Sequence, residues 1–495
     1  MTRGLRGFLD ARCAAAGEAA FLLYRGRTWS YAELGDITDG AASALLRLGL
    51  RRGDRVAMLL PNCPELVLAW LALAKIGVLT APLHPQLAPE EVDRMLAHLR
   101  PAGFIVDPAL CARPVTLPAG CGRVIERGAT LDEILAMRET LTGVDAPGPD
   151  DPSDILMTSG TTGLPKGVVQ THRTSVITGE AFAGWLGLNK DDRLFTCLPF
   201  SHINARAYST MGALAAGASL AIEERFSASR FWHWMSDTGA TEVNAIGAML
   251  QILLNAPFAA EDRGHRLRLV YSAPAIGERA HLEFERRFGA RLVIGYGLTE
   301  STFGFIHPLA GERRLHAMGR PRCHPDPALG NEVRLVDEAG NDAEQGEIWL
   351  RNAAVFSGYF EDETATRQTL TPDGWLRTGD LARREPGDWY TFIARLKEII
   401  RRRGENIAPA EVESVLMACP GVAEAAVVGV ASDLGEEEVA AFVVLEAGST
   451  LTQEELRAFA AGRLAPFKLP TLWRFPGSLP RTATQRVARH LLKPD

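Results

Sequence analysis

The sequence predicts an α/β protein with largely parallel sheets, because two kinds of segment alternate along most of its 495 residues. Short apolar runs predict strands at Arg55–Leu60, Phe104–Val106, Ile155–Thr158, Leu194–Leu198, Leu267–Ser272 and Leu292–Tyr296. Amphipathic segments between these runs predict helices at Glu65–Ile76, Glu90–Leu99, Phe231–Asp237 and Glu278–Phe288. We expect these elements to form a large N-terminal region built from two layered α/β subdomains.

The pattern changes after about residue 330. Val333–Val336 and Ile348–Leu350, separated by a polar turn, predict a hairpin in a small β unit that completes the large region. Beyond it the sequence predicts a small α+β domain, with a helix at Pro409–Met417, strands at Ala425–Val430 and Ala440–Leu445, and a last helix. Thr452 and Glu455 at the start of that helix have the spacing of a capping box. We expect domain boundaries at 1–396 and 397–495.

Composition excludes several classes of protein. Hydrophobic residues make up 46% of the chain and charged residues 23%, which is ordinary for a soluble globular protein. The net charge of −7 argues against nucleic acid or an anionic membrane as a partner. Seven scattered cysteines without a CxxC pair predict neither a disulfide framework nor a zinc cluster. The N-terminus lacks a long apolar segment and the apolar run 66–74 is too short to cross a bilayer, so we expect a cytoplasmic protein.

The strongest functional signal is a glycine-rich segment directly after a predicted strand. Its small and hydroxylated residues would let backbone N–H and side-chain O–H groups approach phosphate oxygens, while its lysine supplies a cation. The lysine follows the last preceding glycine by three positions and is itself followed by glycine, so the segment is not a Walker A loop. A surface turn would not require the whole string. The candidate phosphate-binding residues are Thr158, Ser159, Gly160, Thr161, Thr162, Gly163 and Lys166.

This segment resembles the phosphate loop of the adenylate-forming superfamily, which includes acyl-CoA ligases, luciferases and the adenylation domains of peptide synthetases. Further motifs follow in family order, and the resemblance extends from about Thr28 to the C-terminus. A string similar to the family's nucleotide and metal motif comprises Gly295, Tyr296, Gly297, Leu298, Thr299 and Glu300. The resemblance implies that the tyrosine packs along adenine, the threonine bonds the α-phosphate, and the glutamate helps to hold Mg²⁺. A dinucleotide site is rejected, because no GxGxxG pattern follows.

Three shorter strings are also similar to family motifs. Ser272, Ala273 and Pro274 match the segment that lines adenine, although a buried strand end would look the same. Asp380 lies in a string similar to the ribose motif, where a carboxylate accepts both ribose hydroxyls, although an Asp after Gly is commonly a turn residue. His202 ends the aromatic-histidine motif; alone it would more often be a structural histidine, and we assign it to pocket shape and thiol access rather than proton transfer.

The segment after the β unit resembles the family's domain hinge. By position, Arg395 would reach the ribose and Lys397 would be the hinge about which the small domain rotates between adenylation and thioesterification. The following RRRG run could be solvated surface charge, but the resemblance implies that Gly404 lines the pantetheine tunnel. Phe467 and Lys468 match positions near which related ligases hold CoA phosphates. Within the superfamily, the motif strings and their spacing are most similar to those of carnitine/crotonobetaine-type CoA ligases. We expect transfer of the acyl group to free CoA rather than to a tethered carrier protein.

The chain departs from the family at its C-terminal motif, which usually ends in Gly-Lys and supplies the catalytic lysine of adenylation. Here Gln485 and Arg486 stand at those positions. One interpretation is that a coding bias, visible as 47 arginines against 6 lysines, replaced one cationic residue by another. The protein would then be a complete ligase that uses ATP and Mg²⁺. The other is loss of adenylation, because a planar guanidinium does not replace a compact ammonium at a close-fitting site.

The hypothesis we favour is a thioesterification enzyme that converts an acyl-adenylate and CoA into acyl-CoA and AMP, with a separate enzyme supplying the adenylate. An inactive sensor of the adenylate and an enzyme that loads a carrier protein remain open alternatives. The acyl pocket implied by the resemblance has small residues and two apolar walls, which suggests a bulky, largely apolar acid of a natural-product pathway. Its expected residues are Asn244, Ala245, Ile246, Gly247, Ala248, Ser272, Ala273, Gly295, Thr302, Phe303 and Gly304.

Overall fold

A computed structural model describes residues 4–158, 165–273, 275–402, 405–431, 437–482 and 487–493. Within these ranges, nine strands form the first large sheet, and the six from Arg291–Tyr296 to Ala20–Tyr24 are parallel. In sheet order they are Arg320–Pro321, Phe305–Ile306, Arg291–Tyr296, Leu269–Ser272, Glu242–Ala245, Arg193–Thr196, Ser219–Ile222, Ala20–Tyr24 and Arg27–Ser30.

The second large sheet has seven strands among the described residues and precedes most of the first in the chain. In sheet order they are Gly358–Tyr359, Lys166–Thr171, Pro152–Thr158, Leu79–Pro82, Arg55–Leu59, Gly103–Val106 and Arg123–Glu126. The strands Pro152–Thr158 and Lys166–Thr171 pair antiparallel, with Thr158 opposite Lys166. The ends of the glycine-rich segment are therefore neighbours at one edge of the ladder.

Helices pack between and around the two sheets. In the large region they are Leu5–Ala16, Tyr31–Arg47, Pro64–Lys75, Pro89–Leu99, Thr130–Ala136, His172–Trp185, Met211–Ala216, Phe231–Thr238, Gly247–Asn255, Glu278–Phe288 and Glu363–Thr369. The helix Pro64–Lys75 is buried over nearly its whole length, and its apolar residues share one core with strands of both sheets. A π-helical segment, Asn204–Thr210, leads into the helix Met211–Ala216. No helix in the described ranges combines the length and apolar character needed to cross a membrane.

The predicted β unit is present as an antiparallel sheet of four described strands: Asn331–Val336, Gln345–Asn352, Leu376–Glu385 and Trp389–Arg395. The predicted hairpin forms its first two strands. The last two place Asp380 directly opposite Arg395, 15 residues apart in the chain. Two segments that resemble ribose-binding motifs are thereby brought together by strand register.

The C-terminal segment has its own hydrophobic core, which includes Val412, Val427, Val439, Leu456 and Trp473. Its strands are Ile400–Arg402, Glu405–Ile407, Val422–Ala431, Glu437–Leu445 and Leu472–Arg474, and its helices are Pro409–Met417 and Gln453–Ala461. The predicted capping box is confirmed, since Thr452 Oγ1 accepts the Glu455 N–H and the Glu455 carboxylate accepts the Thr452 N–H. The architecture confirms the mixed α/β class with a large N-terminal part and a smaller C-terminal part.

Candidate functional site

Three of the predicted site segments lie at one end of the first sheet. The parallel strands Glu242–Ala245, Leu269–Ser272 and Arg291–Tyr296 end at neighbouring positions, with Ala245 opposite Ser272 and Ser272 opposite Ile294. Ligands of open α/β sheets bind beyond the carboxyl ends of the strands, where loops can approach without blocking the ladder. The candidate adenine and acyl segments therefore lie side by side at this edge.

An acidic side chain with two fixed partners marks the predicted ribose position. Asp380 is almost completely buried, and Arg395 Nε donates to its Oδ1 at 2.7 Å while Arg395 Nη2 donates to Oδ2 at 3.1 Å. The Tyr296 hydroxyl donates to the same Oδ2 at 2.7 Å. Burial, followed by the charge of Asp380, raises the pKa of Tyr296 well above its usual range, so this hydroxyl remains a donor at neutral pH. These hydrogen bonds hold the carboxylate in one orientation, which suits an acceptor of ligand hydroxyl groups.

Glu300, the candidate metal ligand, is tied to the glycine-rich segment through Tyr359. The Tyr359 hydroxyl donates to Glu300 Oε1 at 2.8 Å, and Lys166 Nζ lies 4.6 Å from the centre of the Tyr359 ring. The backbone oxygen of Thr299 accepts the side-chain amide of Gln170, from the strand that carries Lys166. This arrangement brings together a cation, a phenol and a carboxylate, which are groups that could hold a phosphate and a magnesium ion.

The donor set around Glu300 fits a Mg²⁺ ion shared with phosphates. The described residues contain no group of three or more His, Cys, Asp or Glu side chains arranged to hold a metal. Mg²⁺ needs no such cage when substrate phosphates and water complete its octahedron around one carboxylate. Glu300 would supply that carboxylate, and the metal would neutralise phosphate charge.

The loop that carries His202 is held by a side chain from the loop after the strand Arg55–Leu59 of the second sheet. Asn62 is buried, donates to the backbone oxygens of Leu198 at 2.9 Å and Glu223 at 3.0 Å, and accepts the Phe200 N–H at 3.2 Å. The His202 ring lies 5.8 Å from the ring of His84. Burial lowers the pKa of His84 below its ordinary value, which favours a neutral imidazole beside the loop.

A buried ion pair connects this loop to the phosphate segment. Arg206, in the π-helical segment after His202, pairs with Asp154 on the strand that ends at Thr158. Both side chains are almost fully buried, and the Arg206 guanidinium also lies 4.1 Å from the ring centre of Trp70. A charge pair removed from water in this way resists separation, because losing one partner leaves an uncompensated charge. The two motif-bearing segments are therefore fixed relative to each other.

The expected acyl-pocket residues fall into two groups. Ile246, Gly247, Ala248 and Ala273 are partly exposed beyond the strand ends. Asn244, Ala245, Phe303 and Gly304 are buried, as are Ser272 and Thr302. The Phe303 ring packs against Trp185, with ring centres 5.2 Å apart. A Cβ at Gly304 would overlap the backbone oxygen of Tyr296, so close chain approach explains that glycine.

The hinge candidate lies at a junction between strands. Lys397 occupies a 3₁₀ turn, Leu396–Glu398, between the strands Trp389–Arg395 and Ile400–Arg402. The adjacent Glu398 accepts from Arg489 Nη1 at 3.1 Å. A bend at this junction would change the path of the chain into the C-terminal segment.

The candidate CoA-phosphate residues lie in another 3₁₀ turn, Pro466–Lys468. Lys468 Nζ donates to both carboxylate oxygens of Glu411, at 2.6 and 2.7 Å. Its ammonium is therefore already paired, and a phosphate would have to compete with that carboxylate.

Several expected site residues lie outside the described ranges. They are Ser159, Gly160, Thr161, Thr162 and Gly163 of the phosphate segment, together with Pro274, Gly404, Gln485 and Arg486. Arg481 and Val487, which flank the last two, form a β-bridge.

Three side chains that position the site were missed from the sequence. Asn62, Tyr359 and Arg206 each act on a segment distant in the chain, and none belongs to a string that we interpreted. The one available local signal was a polar residue shortly after an apolar strand, since Asn62 follows Arg55–Leu59 by three positions.

Comparisons with known proteins give matches over most of the chain. The sequence profile of the AMP-binding enzyme family matches residues 9–360, and that of the AMP-binding enzyme C-terminal domain matches residues 411–486. A crotonobetaine/carnitine–CoA ligase of Salmonella arizonae is 32% identical over 489 residues, which cover 94% of this chain and 93% of the relative.

Solved structures of similar proteins have the same architecture. ATP-bound MatB from Rhodopseudomonas palustris superimposes with a TM-score of 0.90 at 26% identity, covering 99% of this chain and 98% of the other. O-succinylbenzoate coenzyme A synthetase from Bacillus subtilis, in complex with AMP, gives a TM-score of 0.84 at 28% identity and covers 98% of both chains.

Proposed function

Because the chain belongs to the AMP-binding enzyme family, as an acyl-CoA ligase of the adenylate-forming superfamily, we propose that it forms an acyl-CoA thioester from an acyl-adenylate and CoA. In this reaction the CoA sulfur forms a bond to the acyl carbonyl carbon and the carbon–oxygen bond to phosphate breaks. AMP leaves with the bonding electron pair, and the thiol proton passes to solvent. We further propose that the preceding adenylation step is impaired or lost in this chain.

One observation carries the second part of the proposal: Gln485 and Arg486 replace Gly and Lys at the end of the C-terminal motif. In the family the lysine ammonium bridges the substrate carboxylate and the α-phosphate while charge shifts between them. Losing one well-placed donor to a developing charge costs about 3–4 kcal/mol, or roughly a hundred- to a thousandfold in rate. In the family this lysine lies away from the site during thioesterification. Its loss would therefore slow adenylation and spare the thioesterification step.

The described site supports retention of acyl-adenylate binding. Asp380, held by Arg395 and Tyr296, would offer an oriented carboxylate to the ribose, and Lys166 with Glu300 would face the phosphate. Intact nucleotide contacts are expected in an enzyme that uses an adenylate made elsewhere.

Transfer to CoA would use the hinge and the loop of His202. We propose that the small domain, 397–495, turns about Lys397 against the large region, 1–396, and that Gly404 then lines the pantetheine tunnel. His202 shapes the access of the thiol to the acyl carbon. Lys468, next to Phe467, would release the carboxylate of Glu411 and bind a CoA phosphate instead.

The substrate class follows from the small residues around the strand ends. The short side chains of Ala245, Gly247, Ala248 and Ala273 favour a bulky, largely apolar acid, as found in natural-product pathways. A separate adenylating enzyme would supply the activated acid.

A complete ATP-dependent ligase is the second candidate. The observation that favours it is the arginine content of 47 against 6 lysines. A coding bias of this kind would replace a lysine by arginine without selection for a new activity. Lys166 and Lys397, which match other functional positions, have nonetheless remained lysine.

Two parallel assays of the wild type test the proposal. In one, synthetic acyl-adenylates of bulky acids are mixed with CoA; in the other, the same acids are mixed with ATP, Mg²⁺ and CoA. We expect acyl-CoA and AMP in the first at a rate at least about a hundredfold above the second. Equal rates would establish a complete ligase, and no product from any adenylate would indicate a binding protein without turnover.

A further inference from the structure

A fully buried arginine lies behind the nucleotide motif strand. Arg322 donates to the backbone oxygens of Phe305 at 2.7 Å and Thr302 at 2.9 Å, and to the hydroxyl of Tyr208 at 2.8 Å. It also donates to the hydroxyl of Tyr271. No carboxylate in the described parts of the chain forms an ion pair with it. The guanidinium is thus compensated by neutral oxygens alone, which makes its surroundings strongly attractive to a further acceptor.

A second polar group completes a layer next to this arginine. Asn244 lies opposite Tyr271 on the adjacent strand, and its amide nitrogen donates to Ser209, the neighbour of Tyr208, at 2.8 Å. The Asn244 side chain is buried, yet its Oδ1 has no hydrogen-bond donor among the described residues. A buried acceptor without a donor is costly, so the amide is suited to a ligand that provides one.

The motif strand lies directly on this polar layer, which consists of Tyr208, Ser209, Asn244, Tyr271 and Arg322. A Cβ at Gly295 would overlap Arg322 Nη2 and lie 2.5 Å from the Tyr271 hydroxyl. A Cβ at Gly297 would lie 3.1 Å from the Tyr208 hydroxyl. These glycines of the motif strand therefore pack directly against hydroxyl and guanidinium groups rather than against a hydrocarbon core.

We propose that the polar layer closes the far end of the acyl pocket and selects carboxylic acids that carry a hydroxyl group at the end remote from the carboxylate. This inference rests on the proposed function and narrows its substrate class to a bulky acid with a polar tip. The ligand hydroxyl donates to Asn244 Oδ1 and accepts from the donors grouped around Arg322. An apolar tip would leave the amide oxygen unpartnered, which is how polar pockets reject analogues that lack one hydroxyl.

The test compares pairs of acyl-adenylates that differ only in the distal hydroxyl. For each pair, kcat/KM for thioester formation with CoA is measured in the wild type, in Asn244→Leu and in Tyr271→Phe. We expect the wild type to prefer the hydroxylated member by at least about a hundredfold, and each variant to reduce that preference at least about tenfold. Asn255→Leu, at the exposed end of the helix Gly247–Asn255, is the matched control and should keep the wild-type preference.

The outcomes separate the two proposals. Efficient turnover of both members of every pair by the wild type would overturn the inference and leave the proposed function intact. If no adenylate is turned over, binding of the same pairs by calorimetry still measures the preference, and equal affinities overturn the inference. Should Asn244→Leu fail to fold, Tyr271→Phe keeps the ring in place and decides the question alone, since an unchanged preference there also overturns it.

Discussion

A buried carboxyl group below the acyl segment predicts an unusual dependence of stability on pH. Glu242 is completely buried two residues before Asn244, and neither of its oxygens has a partner among the described residues. Burial above all, and then the charge of Asp192, raise the pKa of Glu242 well above its usual range, while Arg268 acts in the opposite direction. The group is therefore protonated in the folded protein over a range of pH in which the unfolded chain would release the proton.

The sign of the effect follows from that difference. A carboxyl group whose pKa is raised on folding contributes its full stability below the unfolded pKa, near 4.3, and loses it as pH rises toward the folded pKa. In that window the wild type loses about 1.4 kcal/mol of unfolding free energy per pH unit through this group. Glu242→Gln has a neutral side chain of similar shape at every pH, so it does not lose this contribution.

The assay is chemical denaturation followed by tryptophan fluorescence at pH 5.5, 6.5 and 7.5. We expect the advantage of Glu242→Gln over the wild type to grow as pH rises through this series, by about 1.4 kcal/mol per pH unit wherever the folded wild type keeps the proton that the unfolded chain has released. Glu454→Gln, on the exposed face of the helix Gln453–Ala461, is the matched control and should follow the wild type. Parallel curves for the wild type and Glu242→Gln would refute the reasoning.

Three further substitutions test the site. Asn62→Ala removes two hydrogen bonds to the loop of His202 and one to Glu223, and it should lower the unfolding free energy by about 2–4 kcal/mol and kcat for thioester formation about tenfold. An unchanged kcat would contradict the positioning role. In Gly295→Ala the added methyl group would overlap Arg322, so the free energy of unfolding should fall by about 1–3 kcal/mol, as measured by thermal melting. A melting temperature equal to that of the wild type would disprove the overlap. Arg395→Met should weaken AMP binding, measured by calorimetry, about tenfold or more, and unchanged affinity would remove Arg395 from the nucleotide site.

Local patterns predicted the regular elements well where propensity and packing agree. The helices Glu278–Phe288 and Pro409–Met417 have the predicted bounds, since one has a strong amphipathic pattern and the other begins with a proline. The strand predicted at Leu194–Leu198 instead ends at Thr196, because Asn62 binds the backbone of Leu198 and Phe200 and draws the chain into a loop. That contact comes from a remote segment and has no local sequence pattern.

The candidate site divides in the same way. Motif strings identified Asp380, Tyr296 and Arg395, and the structure brings these three side chains into hydrogen-bond contact. Arg322 and Tyr359 were not identified, because their roles arise only when distant segments fold against the motif strand. Motif strings thus identified candidate residues for the site, and they did not identify residues that contact those candidates from distant segments.

The most direct test of the central claim is pyrophosphate–ATP exchange over a panel of bulky acids. The wild type is compared with the double variant Gln485→Gly/Arg486→Lys, and Arg457→Lys on the exposed helix Gln453–Ala461 controls for the substitution itself. We predict exchange by the double variant alone, with the wild type and the control at least about a hundredfold slower. Comparable exchange by the wild type would contradict the account and establish the protein as a complete ligase.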